Sequence, residues 1–172
     1  MSQISPGKKK SLAAVIGSAA ATVLLAFVVQ HEGLVTTTYK DVTGTPTVCV
    51  GETDPEKAVP GVTYTAEQCM RMLEERLTEF AEGVRRITPG IMDEPELAVP
   101  AIDLAYNIGI GAYERSSTAR HFNEGRYEKG CEAMTLYVYS KGRKLRGLEI
   151  RREHEYAMCM QGAAKMKTRR AR

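Results

Sequence analysis

Residues 11–30, SLAAVIGSAAATVLLAFVVQ, form an uncharged apolar run of twenty residues. At about 1.5 Å rise per residue, a helix of that length spans roughly the 30 Å hydrocarbon core of a bilayer. Lys8, Lys9 and Lys10 precede it, a charge pattern that predicts a cytoplasmic N-terminus and export of everything after Gln30. A cleaved signal peptide shares that pattern but needs a small-x-small site, which AFVVQHEG lacks. A buried core helix would be unusual in being apolar on every face. The run therefore reads as a signal anchor, and a weak one. Its first half, SLAAVIGSAAAT, is rich in Ala, Gly and Ser, which add little to insertion and permit close packing against protein. Such a segment can enter a bilayer and also leave it.

The net charge of +3 is carried by the two ends. Residues 31–162 hold sixteen cations against twenty-one acids, so the folded part is acidic and nucleic acid is excluded as an expected partner. Cys49, Cys69, Cys131 and Cys159 all follow the apolar run. An even count downstream of an export segment predicts two disulfides in an oxidising compartment, with three pairings open. The spacing of cysteines and of His31, His121 and His154 offers no metal-ligand motif, so neither a metal nor any other cofactor is expected.

Residues 36–53, rich in Thr, Val and Tyr and broken at Gly44 and Pro46, predict short strands and a tight turn, followed by a loop over 54–64. Thr65 and Gln68 have capping-box spacing. Met70, Leu73, Leu77, Phe80, Val84 and Ile87 then step along one helical face. Arg71, Glu74, Glu75, Arg76 and Glu79 read as the solvated face. Residues 88–100 form a Pro-broken connector, with Pro100 opening the next helix, which stops at Gly109 and Gly111. A short helix capped by Ser117, a helix over about 128–140, a basic loop YSKGRKLRG and a last helix from about Leu148 to Gln161, closed by Gly162, complete the reading. The ending AAKMKTRRAR reads as a disordered basic tail. Three segments follow: an anchor over 1–30, a domain over 31–162 and a tail over 163–172. The fold class is α+β, with a small strand lobe before a mostly helical lobe.

Glu32 lies between Val28-Val29 and Leu34-Val35. An apolar margin disfavours the charged form of a carboxyl, which suits a general acid near neutral pH. Asp41 sits in a polar turn whose donors favour a carboxylate, and Thr47 adds a hydroxyl able to hold water or substrate. Glycoside hydrolysis needs such a split pair of carboxyls. A solvated helix-end Glu and an Asx-capping Asp are the plain alternatives.

The spacing Glu32, Asp41, Thr47 resembles the signature of the phage-lysozyme family, glycoside hydrolase family 24. TYKDVTGTPTVCVGET resembles that family's strand hairpin, LAYNIGIGAYERSSTARHFNEG its central helix and the segment after it, and KGRKLRGLEIRREHEYAMC its C-terminal element. The match runs collinearly over about residues 32–160. It implies a two-lobed phage-lysozyme-like fold with a peptidoglycan cleft between the lobes. The implied reaction is hydrolysis of the β-1,4 bond between N-acetylmuramic acid and N-acetylglucosamine. Glu32 would be the acid, and Asp41 and Thr47 would position water or stabilise the oxocarbenium-like centre. Asn107, Arg151 and Arg152 match polar positions near the cleft, and Arg151 or Arg152 is a candidate partner for Glu32. With their proximity, the resemblance favours the pairs Cys49–Cys69 and Cys131–Cys159. Where many relatives read Gly-His-Thr, this chain reads Gly51-Glu52-Thr53.

The apolar, Ala/Gly-rich N-terminus further resembles signal-arrest-release endolysins. It implies a monomeric enzyme held inactive at the host inner membrane through residues 11–30, then active in the periplasm after release. Two other functions fit parts of the sequence. A lytic transglycosylase would need Glu32 alone, and a non-catalytic cell-wall-binding protein would use Glu32 and Asp41 only as caps.

Overall fold

A computed structural model describes residues 10–41 and 44–171. Lys8 and Lys9 of the basic flank, Val42 and Thr43 of the hairpin turn, and Arg172 of the tail lie outside the described residues. The apolar run forms two helices, α1 (Leu12–Ile16) and α2 (Ser18–Glu32), separated at Gly17. Ser11 caps α1 by accepting from the Ala14 amide at 3.2 Å. Gly17 has φ +83°, a backbone state that an L side chain resists, and so divides what could have been one longer helix. Among the described residues, no helix is long and apolar enough to cross a membrane. Leu12, Val15, Ile16, Ala20, Ala21, Leu24 and Val28 are instead buried in the main core, where α1 packs on α3 (Ala66–Ile87) and α2 on α4 (Pro95–Ile108).

The strand lobe is an antiparallel hairpin, β1 (Val35–Lys40) and β2 (Pro46–Cys49), with Tyr39 opposite Thr47. A bridge between Thr37 and Thr63 and the bond from the Tyr64 amide to the Thr36 carbonyl (2.8 Å) bind the following loop to β1. Helix α3 (Ala66–Ile87) begins at the expected capping box, with Thr65 and Gln68 serving each other's amides at 3.1 and 2.7 Å. Its apolar stripe is buried or half-buried along its length, and a 3₁₀ turn (Pro89–Ile91) follows.

The helical lobe departs from expectation at several places. Helix α4 (Pro95–Ile108) opens at Pro95, and Pro100 lies inside it. After α5 (Ile110–Glu114) and α6 (Ser117–Asn123, capped by Ser116), helix α7 (Tyr127–Met134) ends six residues before the expected 140. The basic loop is a hairpin, β3 (Tyr139–Ser140) and β4 (Arg143–Lys144), turned by Lys141 and Gly142, both at positive φ as a tight hairpin turn requires. Finally, α8 (Arg146–Arg170) runs through Gly162 and makes most of the supposed tail helical. Gly162 is a crossing point rather than a stop. A Cβ there would lie 2.8 Å from Leu97 Cγ and 3.0 Å from the α4 backbone. The tail is also tied down, since Arg169 meets Glu94 at 2.9 Å and Arg170 donates to the Gly125 carbonyl at 3.0 Å. Disulfides join Cys49 to Cys69 and Cys131 to Cys159, fastening β2 to α3 and α7 to α8.

Candidate active site

Between the hairpin lobe and the helical body lies a cleft of about 280 Å³, lined by Glu32, Gly51, Glu52, Arg76, Tyr106 and Asn107 among others. Glu32 is delivered to it by α2, of which it is the last residue, and Gly33 (φ +78°) closes the helix immediately after it. The Glu32 side chain is 31% exposed, and its Oε1 accepts from Arg151 Nη1. The pairing expected between Glu32 and an arginine of the C-terminal element is therefore present, between residues 119 positions apart.

Arg151 is itself buried, with 3% side-chain exposure, and Asp103 on α4 grips it twice, at 2.8 Å on Nε and 2.7 Å on Nη2. Burial opposes the Arg151 cation, but the bonds and charges of Asp103 and Glu32 more than offset it and hold the group above its ordinary pKa. With Asp103 taking two of the three guanidinium nitrogens along one edge, the nitrogen left over, Nη1, aims Glu32. Desolvation also opposes the Asp103 carboxylate, and its bonds to Arg151 and Glu155 win, lowering its pKa. Glu155, fully buried one turn beyond Arg151, goes the other way. Desolvation and its bond to Asp103 push its pKa well up. Among the described residues its Oε2 meets no N–H donor, and a protonated Glu155 carboxyl can donate to Asp103. Arg152, expected near the cleft, is 1% exposed and turns instead to Glu155 at 2.6 Å.

Asp41 and Thr47 stand on the hairpin and are not among the residues lining this cleft. Both are bonded to Thr45. The Thr45 amide donates to Asp41 Oδ1 (2.9 Å), the Asp41 amide donates to the Thr45 carbonyl (3.0 Å), and the Thr47 hydroxyl donates to that same carbonyl (3.1 Å). One residue thus fixes the relation between the two groups. Asn107 lines the cleft as expected. Glu52 accepts from the Thr53 and Asp54 amides at 3.0 and 2.9 Å and so holds the loop after β2.

Sequence reasoning missed Asp103 and Glu155, and it assigned Arg76 to a solvated face. Arg76 lines the cleft and lies 5.2 Å from the centre of the Phe80 ring, which packs edge-on against Tyr106. The Tyr106 hydroxyl donates to the Val50 carbonyl at 2.9 Å, tying the cleft floor to the hairpin lobe. Asp103 did leave a signal: a lone acid amid AIDLAY, on a helix otherwise apolar through Leu97 to Ala105. Glu155 left one too, spaced four residues after Arg151 and three after Arg152.

The family model described as Phage lysozyme matches residues 29–155. A SAR-endolysin of Enterobacteria phage P21 is 34% identical over 165 residues, covering 91% of this chain and 98% of its own length. The fold is similar to the crystal structure of the active form of the P1 phage endolysin Lyz, with TM-score 0.72, 22% identity, and coverage of 91% of this chain and 97% of that one. To the secreted inactive form of Lyz the likeness falls to TM-score 0.55 at 20% identity, covering 84% and 96%. With a family model matched across most of its length and a relative this similar over nearly all of it, the chain belongs to the phage lysozyme family.

Proposed function

We propose that Glu32 is the general acid of a muramidase whose active site is completed when the N-terminal apolar segment leaves the membrane and docks as α1 and α2. Family membership makes the chain a glycoside hydrolase of the lysozyme class, an endolysin acting on peptidoglycan. The finer reading rests on one observation: the helix that buries the apolar run ends on a carboxyl that both lines the cleft and accepts from Arg151.

In this reading Glu32 protonates the glycosidic oxygen. Arg151 then holds the carboxylate that remains, through a charge-assisted bond that is stronger in that state. Asp41 and Thr47, related through Thr45, position the attacking water or steady the oxocarbenium-like centre. Asn107 and Arg76 supply polar contacts to the sugar chain along the cleft. The apolar segment supports the membrane half of the proposal. Its outward residues Ser18, Ala19, Thr22, Val23, Ala26 and Gln30 include no charged side chain, so the face turned from the core is one that lipid can accept.

Glu32→Gln is expected to lower turnover on purified peptidoglycan by on the order of 10²–10⁴. The amide still accepts from Arg151, so the melting temperature should stay near that of the wild type. Mass spectrometry of the wild-type digest should find reducing N-acetylmuramic acid ends. Anhydro ends would indicate a transglycosylase, and a fully active Glu32→Gln variant would remove the acid from its role.

A further inference from the structure

His31 and His154, 123 residues apart in the chain, meet where the end of α2 rests against α8. Nε2 of His31 and Nδ1 of His154 are 3.3 Å apart, their ring centres 5.2 Å, and their planes inclined at 50°. Neither ring has another hydrogen bond among the described residues, and no third His, Cys, Asp or Glu joins them in a cluster. Phe27 backs the pair, its ring centre 4.8 Å from that of His31 and 6.4 Å from that of His154.

Two imidazole nitrogens bound to one tetrahedral zinc, each at about 2.0–2.1 Å, lie about 3.3–3.4 Å apart. The observed separation of 3.3 Å matches that spacing. From this geometry we infer that His31 and His154 form a two-histidine site for a late first-row divalent cation of the zinc, nickel or copper kind, with water filling the remaining positions. Imidazole suits these ions, and it does not select the harder magnesium or calcium.

The surroundings favour the ligating form. Burial, and then the nearby Arg151 charge, lower the pKa of His31, keeping it neutral as a ligand must be. Arg151 would also repel an incoming cation, but its own charge is met by Asp103 and Glu32. Without an ion, the same two nitrogens can share one N–H···N hydrogen bond, so the site does not need metal to form.

The position gives the site a consequence. His31 precedes Glu32, and His154 lies one helical turn after Arg151, so the ion would tie the same two elements that the catalytic pair joins. An ion held by both rings is bound only by the docked form of α2 and therefore stabilises that form. This inference stands whether or not Glu32 is the acid, because its readout is binding.

The test is titration of the full chain, purified without an affinity tag, with zinc chloride and separately with nickel chloride. One ion per chain should bind, and His31→Ala or His154→Ala should each weaken it about tenfold or more. His121→Ala, which removes a histidine on α6, should leave it unchanged, as magnesium should leave the protein unbound. Zinc should also raise the melting temperature of the wild type but not of His154→Ala. Because His154 is exposed, that variant should fold even if His31→Ala does not. Absence of saturable zinc or nickel binding, or unchanged affinity in His154→Ala, would overturn the inference.

Discussion

At the scale of single residues, the buried network behind Glu32 holds two carboxyls that titrate in opposite senses. The lowered pKa of Asp103 contributes stability above its unfolded value, lost as pH falls through its folded one. The raised pKa of Glu155 contributes stability that is complete below about 4.5, its unfolded value, and is lost as pH rises toward its folded one. Above that lower limit the unfolded chain ionises Glu155 while the folded chain keeps it protonated. Glu155→Gln keeps an acceptor for Arg152 and a donor for Asp103 but cannot ionise. Its urea midpoint should therefore rise relative to the wild type as pH goes from 5 to 8. Parallel midpoints across that range would show that Glu155 is not held protonated in the fold. The family resemblance offered an arginine partner for Glu32, but the grip of Asp103 on Arg151 and the place of Glu155 behind it were not readable in the sequence. Glu32, Asp103 and Arg151 come from three separate helices, and only the packing of α2 and α8 against α4 joins them.

At the scale of elements, what the sequence made plain was whatever is decided locally. The capping box at Thr65 and the stripe from Met70 to Ile87 start and orient α3 as the spacing predicts, because both depend on neighbours within a turn or two. Gly162 misled for the opposite reason. A glycine after a helical pattern commonly ends it, whereas here it admits the α4 backbone, a contact 65 residues away in the chain. Helix α2 is legible in two ways at once. Its buried face, Ala20, Ala21, Leu24 and Val28, suits the core, and its outward Val23, still 44% exposed, suits lipid. Val23→Lys separates the two. On the folded surface a lysine there should change stability by less than about 0.5 kcal/mol. Near the middle of a membrane helix it should cost about 2.5–3.5 kcal/mol. The variant is expected to digest peptidoglycan normally in vitro yet to lose its place in the membrane fraction of expressing cells. Retention equal to the wild type before an uncoupler is added would count against the anchor.

At the scale of the whole molecule, the question is whether residues 11–30 are an appendage or part of the domain. The sequence boundary at residue 30 treats them as an appendage, yet their packing makes them part of the interior. Leu12, Leu24 and Val28 are fully buried, and Val15 and Ile16 nearly so, against helices that continue to the C-terminal lobe. Burying one such side chain contributes about 1.5–3 kcal/mol, so these five together contribute roughly 8–15 kcal/mol as an upper estimate. A domain of this size is stable by only about 5–15 kcal/mol in all. Removing the segment also leaves the facing surfaces of α3 and α4 open to water and takes away the helix that carries Glu32 to Arg151. A chain beginning at His31, the product expected of a cleaved signal peptide, should therefore show no cooperative thermal unfolding and no lytic activity. The full chain released from membranes should show both. If the shortened chain instead melted cooperatively near the temperature of the full one, the apolar helices would be a cover and not a core. Export followed by cleavage would then replace release as the route to the active enzyme.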